Sequence, residues 1–166
     1  MTIPTPNKDV TFKVDNESAK MLRDITSSSG AIVAGRRLFD IAKGWDDRHP
    51  AGAPVVVVTH HPPADASAKF PQTTFVNGVE AAINKAREIA GDKDVNIASP
   101  SIIQQALDLD LIDEVCISLV PVLFGEGISY FASLKGRHKL FEDPVVTQGH
   151  RALHLRYAVR RQARRG

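Results

Sequence analysis

The stretch Pro54-Val55-Val56-Val57-Val58-Thr59 indicates the class of fold. Its four consecutive valines are β-branched and place apolar side chains on both faces of an extended strand. A strand that is apolar on both faces is typical of a parallel sheet covered by helices on each side. Pro62-Pro63 ends the strand, because proline lacks the backbone N–H that a sheet requires. The stretch therefore predicts an α/β protein.

Helix and strand patterns alternate on both sides of this strand. Upstream, the sequence predicts a helix capped by Asn16 or Ser18 that runs to Ser28 and is ended by Gly30, a strand over 31–34, a tight turn at Gly35 and a helix over 36–42. Downstream, it predicts a strand over 73–76, a helix over 78–90 before Gly91, a strand over 94–98 and a helix that Ser99 caps and Pro100 begins.

From Ile112 onward the pattern is one of strands, predicted over 115–120, 139–148 and 152–161. In the last of these, apolar Leu153, Leu155, Tyr157 and Val159 alternate with polar His154, Arg156 and Arg160. A period of two predicts a strand with one wetter face. The whole pattern predicts a mixed sheet that is mostly parallel, with antiparallel C-terminal strands and helices on both faces.

Length and composition fit one globular domain. The chain has 166 residues, of which 43% are hydrophobic and 24% charged, values that argue against a disordered or coiled-coil protein. We expect an irregular or substitute-strand segment over 1–15, with Val10-Thr11-Phe12-Lys13-Val14 as the substitute strand, a single domain over 16–161 and a basic tail over 162–166. No apolar run is longer than the four residues of Val55–Val58, which is too short to span a bilayer, so no membrane partner is expected. The single Cys116 excludes an internal disulfide framework and favours the cytoplasm.

Positive charge is concentrated at the C-terminal end. Residues 1–150 hold 15 Lys and Arg against 19 Asp and Glu, whereas residues 151–166 hold six Arg and no acidic residue. Such a patch binds nucleic acid or phosphate, or else is the solvated face of the last strand. The second interpretation is preferred, because no aromatic residues are interleaved for base stacking, and no nucleic-acid partner is expected.

Three junctions after predicted strands are candidates for chemistry, since open α/β sheets bind ligands at such points. Gly35-Arg36-Arg37 combines a close backbone approach with two guanidinium groups that bind phosphate oxygens. Thr59-His60-His61 leaves the central strand, and Ser99-Pro100-Ser101 places two hydroxyls at a helix N-terminus. Each junction is also explained by solvation alone, but three on one predicted edge strengthen the functional interpretation.

Other chemical motifs are not expected. The adjacent residues His60 and His61 point to opposite sides of an extended chain and have no third ligand at a suitable spacing, so no metal site is predicted. The sequence contains no nucleophile elbow, phosphate-binding P-loop or glycine-rich dinucleotide fingerprint. Asp113-Glu114 is read as a solvated strand start in preference to a general acid, and no catalytic residue is assigned.

Three segments resemble a known family. The run Gly30-Ala31-Ile32-Val33-Ala34-Gly35-Arg36-Arg37-Leu38-Phe39-Asp40 resembles the G-A-hydrophobic-G-R-R-T-F-D segment of dihydrofolate reductase-like proteins, in particular the C-terminal reductase domain of the bifunctional riboflavin-biosynthesis deaminase-reductase. Residues 54–62 resemble its P-hydrophobic-V-L-T-H-x-P segment. Leu111-Ile112-Asp113-Glu114-Val115 and Pro121-Val122-Leu123-Phe124-Gly125-Glu126-Gly127 resemble its G-L-[VI]-D-E and P-V-L-L-G-x-G signatures. The resemblance covers residues 18–160 in order.

The resemblance implies an NADPH-dependent reductase that transfers a hydride to a small-molecule substrate, a pteridine-like or ribosylamino-pyrimidine ring. Carried over by position, it implies that Gly35, Arg36 and Arg37 contact the cofactor phosphates. Thr59 and His60 would contact the adenosine end, and Ser99, Pro100 and Ser101 the pyrophosphate. Pro121, Leu123 and Gly125 would border the substrate.

Departures from the family pattern leave a second hypothesis open. No S-L-D-G-like first strand occurs in residues 1–15, Leu38 replaces a threonine, and Ala98-Ser99 replace a Gly-Gly pair. Added Cβ atoms at this pair would hinder the approach of a pyrophosphate. The alternative is a non-catalytic binding protein that kept the fold and lost the cofactor. A homodimer through the C-terminal strands is also expected, because an open edge strand needs a partner.

Overall fold

The computed structural model describes residues 2–4, 11–123, 125–131, 134 and 138–160. Its helices are α1 (Asn16–Ser28), α2 (Arg36–Ile41), α3 (Ala66–Lys69), α4 (Val79–Ala90) and α5 (Pro100–Asp108), with a short 3₁₀ turn at Lys43–Asp47. Its strands are β1 (Thr2–Pro4), β2 (Thr11–Lys13), β3 (Ser29–Gly35), β4 (Val55–Val58), β5 (Thr73–Val76), β6 (Asp94–Ile97), β7 (Glu114–Leu119), β8 (Val145–Gln148) and β9 (Leu153–Ala158).

A four-stranded parallel sheet in the order β5-β4-β3-β6 forms the larger part of the core. On one face, Val33 and Val56 pack with residues of α4 and α5, including Ile83 and Ile102. On the other face, the side chains of Val55 and Val57 pack around Phe39 of α2. Both faces are therefore covered, which is why β4 is apolar throughout.

A three-stranded antiparallel sheet in the order β7-β9-β8 forms the second part of the fold. Helix α5 joins the two sheets, because Ile102 and Ala106 pack with the parallel sheet while Ile103 and Leu107 pack with Val115 of β7. The predicted α/β class, with a mostly parallel sheet and antiparallel C-terminal strands, is confirmed. In the described part of the chain, the parallel and antiparallel strands form separate sheets.

Several predicted boundaries in the N-terminal half need correction. Asp15, not Asn16 or Ser18, caps α1, and its carboxylate accepts from the N–H groups of Glu17 and Ser18. Gly30 does not end α1 but lies inside β3, where an added Cβ would lie 2.8 Å from the Cα of Ala90. Gly35 has φ −80°, so it is extended backbone at the end of β3 and not a tight turn. The residue matters for its small size, not for an unusual conformation.

The C-terminal strands also differ from prediction. Only Val145–Gln148 of the predicted strand 139–148 is a strand, and Phe141 forms a single bridge to Val159. His154 was expected on the wetter face of β9 but is buried, with 5% of its surface exposed. Helix α1 covers it, and its ring lies against the hydroxyl of Ser18.

Strand β2 occupies part of the predicted substitute strand, but its partner is β1. Val10, Arg161 and the predicted tail over 162–166 lie outside the described residues. Two arginines of the basic C-terminal end pair with acidic residues, Arg156 with Glu114 and Arg160 with Glu142. In the described part of the chain, no helix is long and apolar enough to cross a membrane.

Candidate functional site

The three predicted junctions meet at the carboxyl edge of the parallel sheet. Gly35 is the register partner of Val58, and Val33 is the partner of Ile97. The chain leaves this edge at Arg36, Thr59 and Ala98, since all four strands run in the same direction. The structure thus brings the predicted cofactor residues to one edge of the sheet, where α/β folds bind ligands.

A hydrogen bond fastens two of these junctions to each other. The buried hydroxyl oxygen of Ser99 accepts from the N–H of Gly35 at 2.9 Å. Ser99 stands at the N-cap position of α5, but its side chain makes no cap hydrogen bond, and its carbonyl accepts from Ile102 and Ile103 at 3.0 Å. The Ser99 hydroxyl is therefore buried and engaged by the Gly35 N–H.

The two arginines after Gly35 have different surroundings. The Arg36 Nε lies 2.8 and 2.9 Å from the two carboxylate oxygens of Asp40, and its guanidinium also donates to the carbonyl of His61. Arg36 thereby ties α2 to the loop after β4. Arg37 is exposed, as are His60 and Ser101. Three of the predicted cofactor-binding residues therefore have exposed polar side chains at this edge, namely Arg37, His60 and Ser101.

Thr59 and Pro100 contribute mainly to the shape of the edge. The Thr59 hydroxyl lies 3.2 Å from both the N–H and the carbonyl of His61, which folds the loop back on itself. The N–H of Thr59 donates to the carbonyl of Val76 at 2.9 Å, which adds one hydrogen bond to the pairing of β4 with β5. Pro100 is half-buried at the first position of α5, where its missing N–H has no cost.

The predicted substrate residues belong to the other sheet. Pro121 and Leu123 follow β7 and are exposed, Leu123 completely. Gly125 has φ 77°, a left-handed conformation that glycine adopts without strain. The apolar neighbours Leu119, Val122 and Ile128 are exposed as well. The loop thus presents a run of apolar side chains to solvent.

A cavity of about 1110 Å³ lies between α1, β6 and β7, and sequence reasoning missed it. Glu114 and Arg156 form a bidentate pair in its wall, with N–O distances of 3.1 and 2.8 Å. The thiol of Cys116 donates to Glu114, and desolvation together with this carboxylate raises the pKa of Cys116 to about 11. The thiol therefore stays protonated at neutral pH and is not an activated nucleophile.

Sequence reasoning also missed a partly buried chain of polar groups between α1 and the antiparallel sheet. The Ser18 hydroxyl lies 2.9 Å from both the Asp15 carboxylate and His154 Nε2, and the Ser118 hydroxyl lies 2.9 Å from His154 Nδ1. Backbone N–H groups of Ser18 and His150 hold the pKa of Asp15 well below its usual value. Asp and Ser three residues apart at a helix start are a recognisable capping signal, but the contact to His154 is long-range and leaves no trace in the sequence.

No group of three or more His, Cys, Asp or Glu side chains is arranged to hold a metal ion, as far as the structure describes the chain. His60 and His61 have ring centroids 6.5 Å apart.

Solved structures of other proteins share this fold. A protein described as a riboflavin biosynthesis protein from Shewanella sp. PV-4 matches with a TM-score of 0.68 and 23% identity, over 96% of this chain and 85% of that chain. RibD from Acinetobacter baumannii matches with a TM-score of 0.63 and 14% identity over 96% of this chain, which spans 55% of that chain. A pyrimidine reductase-like protein from Corynebacterium diphtheriae matches with a TM-score of 0.56 and 15% identity, over 89% of this chain and 83% of that chain.

No protein-family model and no curated protein matches the chain. The structural matches extend over nearly its whole length at low identity. The predicted dihydrofolate reductase-like fold is thereby confirmed.

Proposed function

We propose that this protein is an NADPH-dependent reductase of the riboflavin-biosynthesis type. The observation that carries the proposal is the convergence of Gly35, Thr59 and Ser99 at one carboxyl edge, with Gly35 and Ser99 joined by a hydrogen bond. The shared fold with a riboflavin biosynthesis protein and a pyrimidine reductase-like protein supports it.

The residues at this edge fit the phosphates of a nicotinamide dinucleotide. Arg37 and His60 are exposed donors on neighbouring strand ends, and Ser101 adds a hydroxyl at the start of α5. Arg36 is held by Asp40, so its guanidinium is preoriented beside this edge. Because the Ser99 hydroxyl is buried and engaged by a backbone N–H, it is not one of these donors. A guanidinium binds phosphate oxygens through paired hydrogen bonds. Because NADPH carries one phosphate more than NADH, we expect these side chains to favour NADPH.

When bound, the cofactor supplies the hydride, and the protein's task is to hold the two reacting rings in place. The arginines and hydroxyls at the carboxyl edge would bind and orient the dinucleotide. The apolar loop with Pro121, Leu123 and Gly125 would border the acceptor ring and exclude water from it. The acceptor class we propose is a pteridine-like or ribosylamino-pyrimidine compound. The single Cys116 fits a role in the reducing cytoplasm.

Fluorescence titration with NADPH and with NADH tests the proposal. We expect tighter binding of NADPH, and we expect Arg37→Ala to weaken NADPH binding about tenfold, the loss of about 1.4 kcal/mol of charged hydrogen bonding. Lys85→Ala is the matched control, because Lys85 is an exposed cation on α4 whose partner is Glu88.

Equal affinity for the two nucleotides contradicts the phosphate roles of Arg37 and His60. Binding of neither nucleotide favours the alternative hypothesis, a non-catalytic binding protein that kept the fold. Oxidation of NADPH in the presence of a ribosylamino-pyrimidine, followed by absorbance, then tests the acceptor class separately from cofactor binding.

A further inference from the structure

Four polar side chains form a continuous hydrogen-bonded chain between the start of α1 and the antiparallel sheet. The hydroxyl of Ser18 lies 2.9 Å from the Asp15 carboxylate and 2.9 Å from His154 Nε2. On the other side of the imidazole, the hydroxyl of Ser118 lies 2.9 Å from His154 Nδ1. We call these four residues the serine–histidine chain. None of them has a role in the proposed reduction.

The Asp15 carboxylate sets the direction of the hydrogen bonds in the serine–histidine chain. It accepts from the backbone N–H groups of Ser18 and His150 at 3.0 Å, and an ionised carboxylate has no proton to donate. The Ser18 hydroxyl therefore donates its one proton to Asp15 and accepts from Nε2 of His154. A neutral imidazole carries a single N–H, so Nδ1 is then an acceptor, and the Ser118 hydroxyl donates to it.

The antiparallel sheet holds Ser118 and His154 side by side. The two residues are register partners on β7 and β9, so their side chains leave the same face of the sheet. Gly149, which follows β8, lets the start of α1 come close to this face. An added Cβ there would lie 2.9 Å from both Asp15 Oδ2 and Ser18 Oγ, so only glycine leaves room for the contact.

The two members of the Ser118–His154 pair differ in their exposure. His154 has 5% of its surface exposed and is buried under α1, whereas Ser118 is exposed. The imidazole is therefore shielded from solvent, while a small molecule can reach the residue that donates to it. This combination distinguishes the pair from an ordinary buried polar contact, in which both groups are inaccessible.

We propose that Ser118 is a nucleophile for acyl transfer and that His154 is its general base. A serine hydroxyl is activated when a base lies within about 2.6–3.2 Å and a third group orients that base. Serine, histidine and aspartate take these roles on unrelated folds, where the carboxylate holds the imidazole in one tautomer and stabilises the imidazolium. In this protein Asp15 acts through the Ser18 hydroxyl, so both are positioning residues.

The reaction is the hydrolysis of an ester in two steps. In the first, Ser118 Oγ bonds to the carbonyl carbon, its proton moves to His154 Nδ1, and the ester C–O bond breaks as the alcohol leaves with that proton. In the second, water gives a proton to His154 and its oxygen bonds to the same carbon. The carboxylic acid leaves, and Ser118 recovers the proton. The only co-reactant is water.

The surroundings of Ser118 favour an uncharged, apolar acyl group. Leu119 and Val120, which follow it in the chain, are 60% and 46% exposed, and Val122 is exposed as well. Burial of part of this apolar surface against a ligand is favourable, whereas a charged acyl group would lose hydration there. The substrate class that follows is a small ester with a short aliphatic acyl chain.

The test uses the full chain and two probes, neither of which involves a nicotinamide nucleotide. A fluorescent fluorophosphonate reacts with an activated serine, whose oxygen replaces fluoride on phosphorus. We expect one label per chain, located at Ser118 by peptide mass spectrometry, and hydrolysis of p-nitrophenyl butyrate. Ser118→Ala should abolish the label and slow the hydrolysis at least tenfold. A failure of this test is thus distinct from a failure of the proposed reductase function.

Two further variants separate a catalytic role from a structural one. Ser27→Ala is the matched control, because the exposed Ser27 on α1 donates its hydroxyl to the carbonyl of Asp24 and not to a base. It should change neither measurement. Ser18→Ala should slow the labelling about tenfold. The ¹⁵N resonances of His154 should show the proton on Nε2 in the wild type and a mixture of tautomers in Ser18→Ala, whereas a purely structural link would alter stability alone.

The comparison of the wild type with Ser118→Ala decides the proposal. An unlabelled wild type, a label at another residue or equal hydrolysis by Ser118→Ala would overturn it. Because Ser118 is exposed, we expect this variant to fold, so the comparison holds even where Ser18→Ala does not fold.

Discussion

The Ser99 hydroxyl oxygen accepts a hydrogen bond from the Gly35 N–H at 2.9 Å, across 64 residues of sequence. The bond joins the ends of β3 and β6, which carry two of the three cofactor-edge junctions. The Ser99 side chain is buried, and Gly35 has room for no larger residue without pressing on it, since an added Cβ would lie 3.3 Å from the Ser99 oxygen. The hydrogen bond of Ser99 therefore fixes the position of the end of β3 relative to the start of α5.

Removal of this hydroxyl should destabilise the protein. We expect Ser99→Ala to lower the free energy of unfolding by about 1–3 kcal/mol, because the partly buried N–H of Gly35 loses its acceptor. The exposed Ser101→Ala should change it by less than about 0.5 kcal/mol. Urea unfolding of both variants provides the comparison. Equal stability of the two variants would show that water replaces the Ser99 acceptor.

Much of the fold could be predicted because local patterns determine it. The valines of β4 are covered on both faces, as their β-branched run predicts, and Val79, Ile83 and Ala86 of α4 are buried at helical spacing. The placing of the three junctions at one edge follows from the parallel direction of their strands. These features depend on periodicity, which a single sequence displays.

The features that could not be predicted depend on contacts between segments that are distant in the sequence. His154 has the alternation of an exposed strand residue, but α1 covers it and Ser18 contacts its ring. Ser99 reads as an ordinary helix cap, yet its hydroxyl bonds to a strand 64 residues away. The cavity between α1, β6 and β7 lies where β6 and β7 are not paired with each other in the described residues. Nothing in the local pattern of either strand indicates its partner.

Single glycine substitutions at the Ala98-Ser99 pair should have opposite effects on cofactor binding. Ala98 is exposed, so Ala98→Gly removes only an obstacle, and we expect NADPH to bind up to about tenfold more tightly. Ser99→Gly removes the acceptor of Gly35 and should weaken binding. Calorimetric titration of both variants decides the matter. A gain from Ser99→Gly would mean that the serine obstructs the pyrophosphate after all.

Stability should fall in acid through Asp15. Its pKa is well below the model-peptide value of 3.8 in the folded protein, chiefly because the Ser18 N–H donates to it and the His150 N–H does so as well. The carboxylate's contribution is complete above about pH 5 and is lost as the pH falls through the unfolded value toward the folded pKa. The difference in unfolding free energy between wild type and Asp15→Asn should therefore be largest near about pH 7 and shrink near about pH 3. Asp24→Asn, exposed on the same helix, is the control, and a constant difference would exclude the linkage.

Gly44 should be far less tolerant of a side chain than a glycine of similar conformation. Gly44 has φ 64° and packs under the aromatic rings, where a Cβ would overlap Phe70 and lie 2.9 Å from Phe39. Gly52 has φ 74° with nothing within 4 Å. We expect Gly44→Ala to lower the free energy of unfolding by about 2–4 kcal/mol and Gly52→Ala to lower it by about 1 kcal/mol. The second loss is smaller because at Gly52 only the backbone conformation is unfavourable for alanine. Thermal unfolding measures both, and similar losses would argue against tight packing at Gly44.

The outer edge of β8 should mediate the homodimer that the C-terminal strands predict. In the described residues β8 pairs with β9 alone, and Val145 and Val146 are 65% and 54% exposed. An edge strand with exposed β-branched residues and no proline is a template for pairing with a second copy. We expect light scattering to give a dimer at micromolar concentration and Val146→Lys to give a monomer, because two lysines would face each other near the symmetry axis. Asn84→Lys, on the exposed face of α4, adds the same charge elsewhere and should leave the dimer intact. A wild-type monomer, or a dimer that survives Val146→Lys, would rule out this edge as the interface.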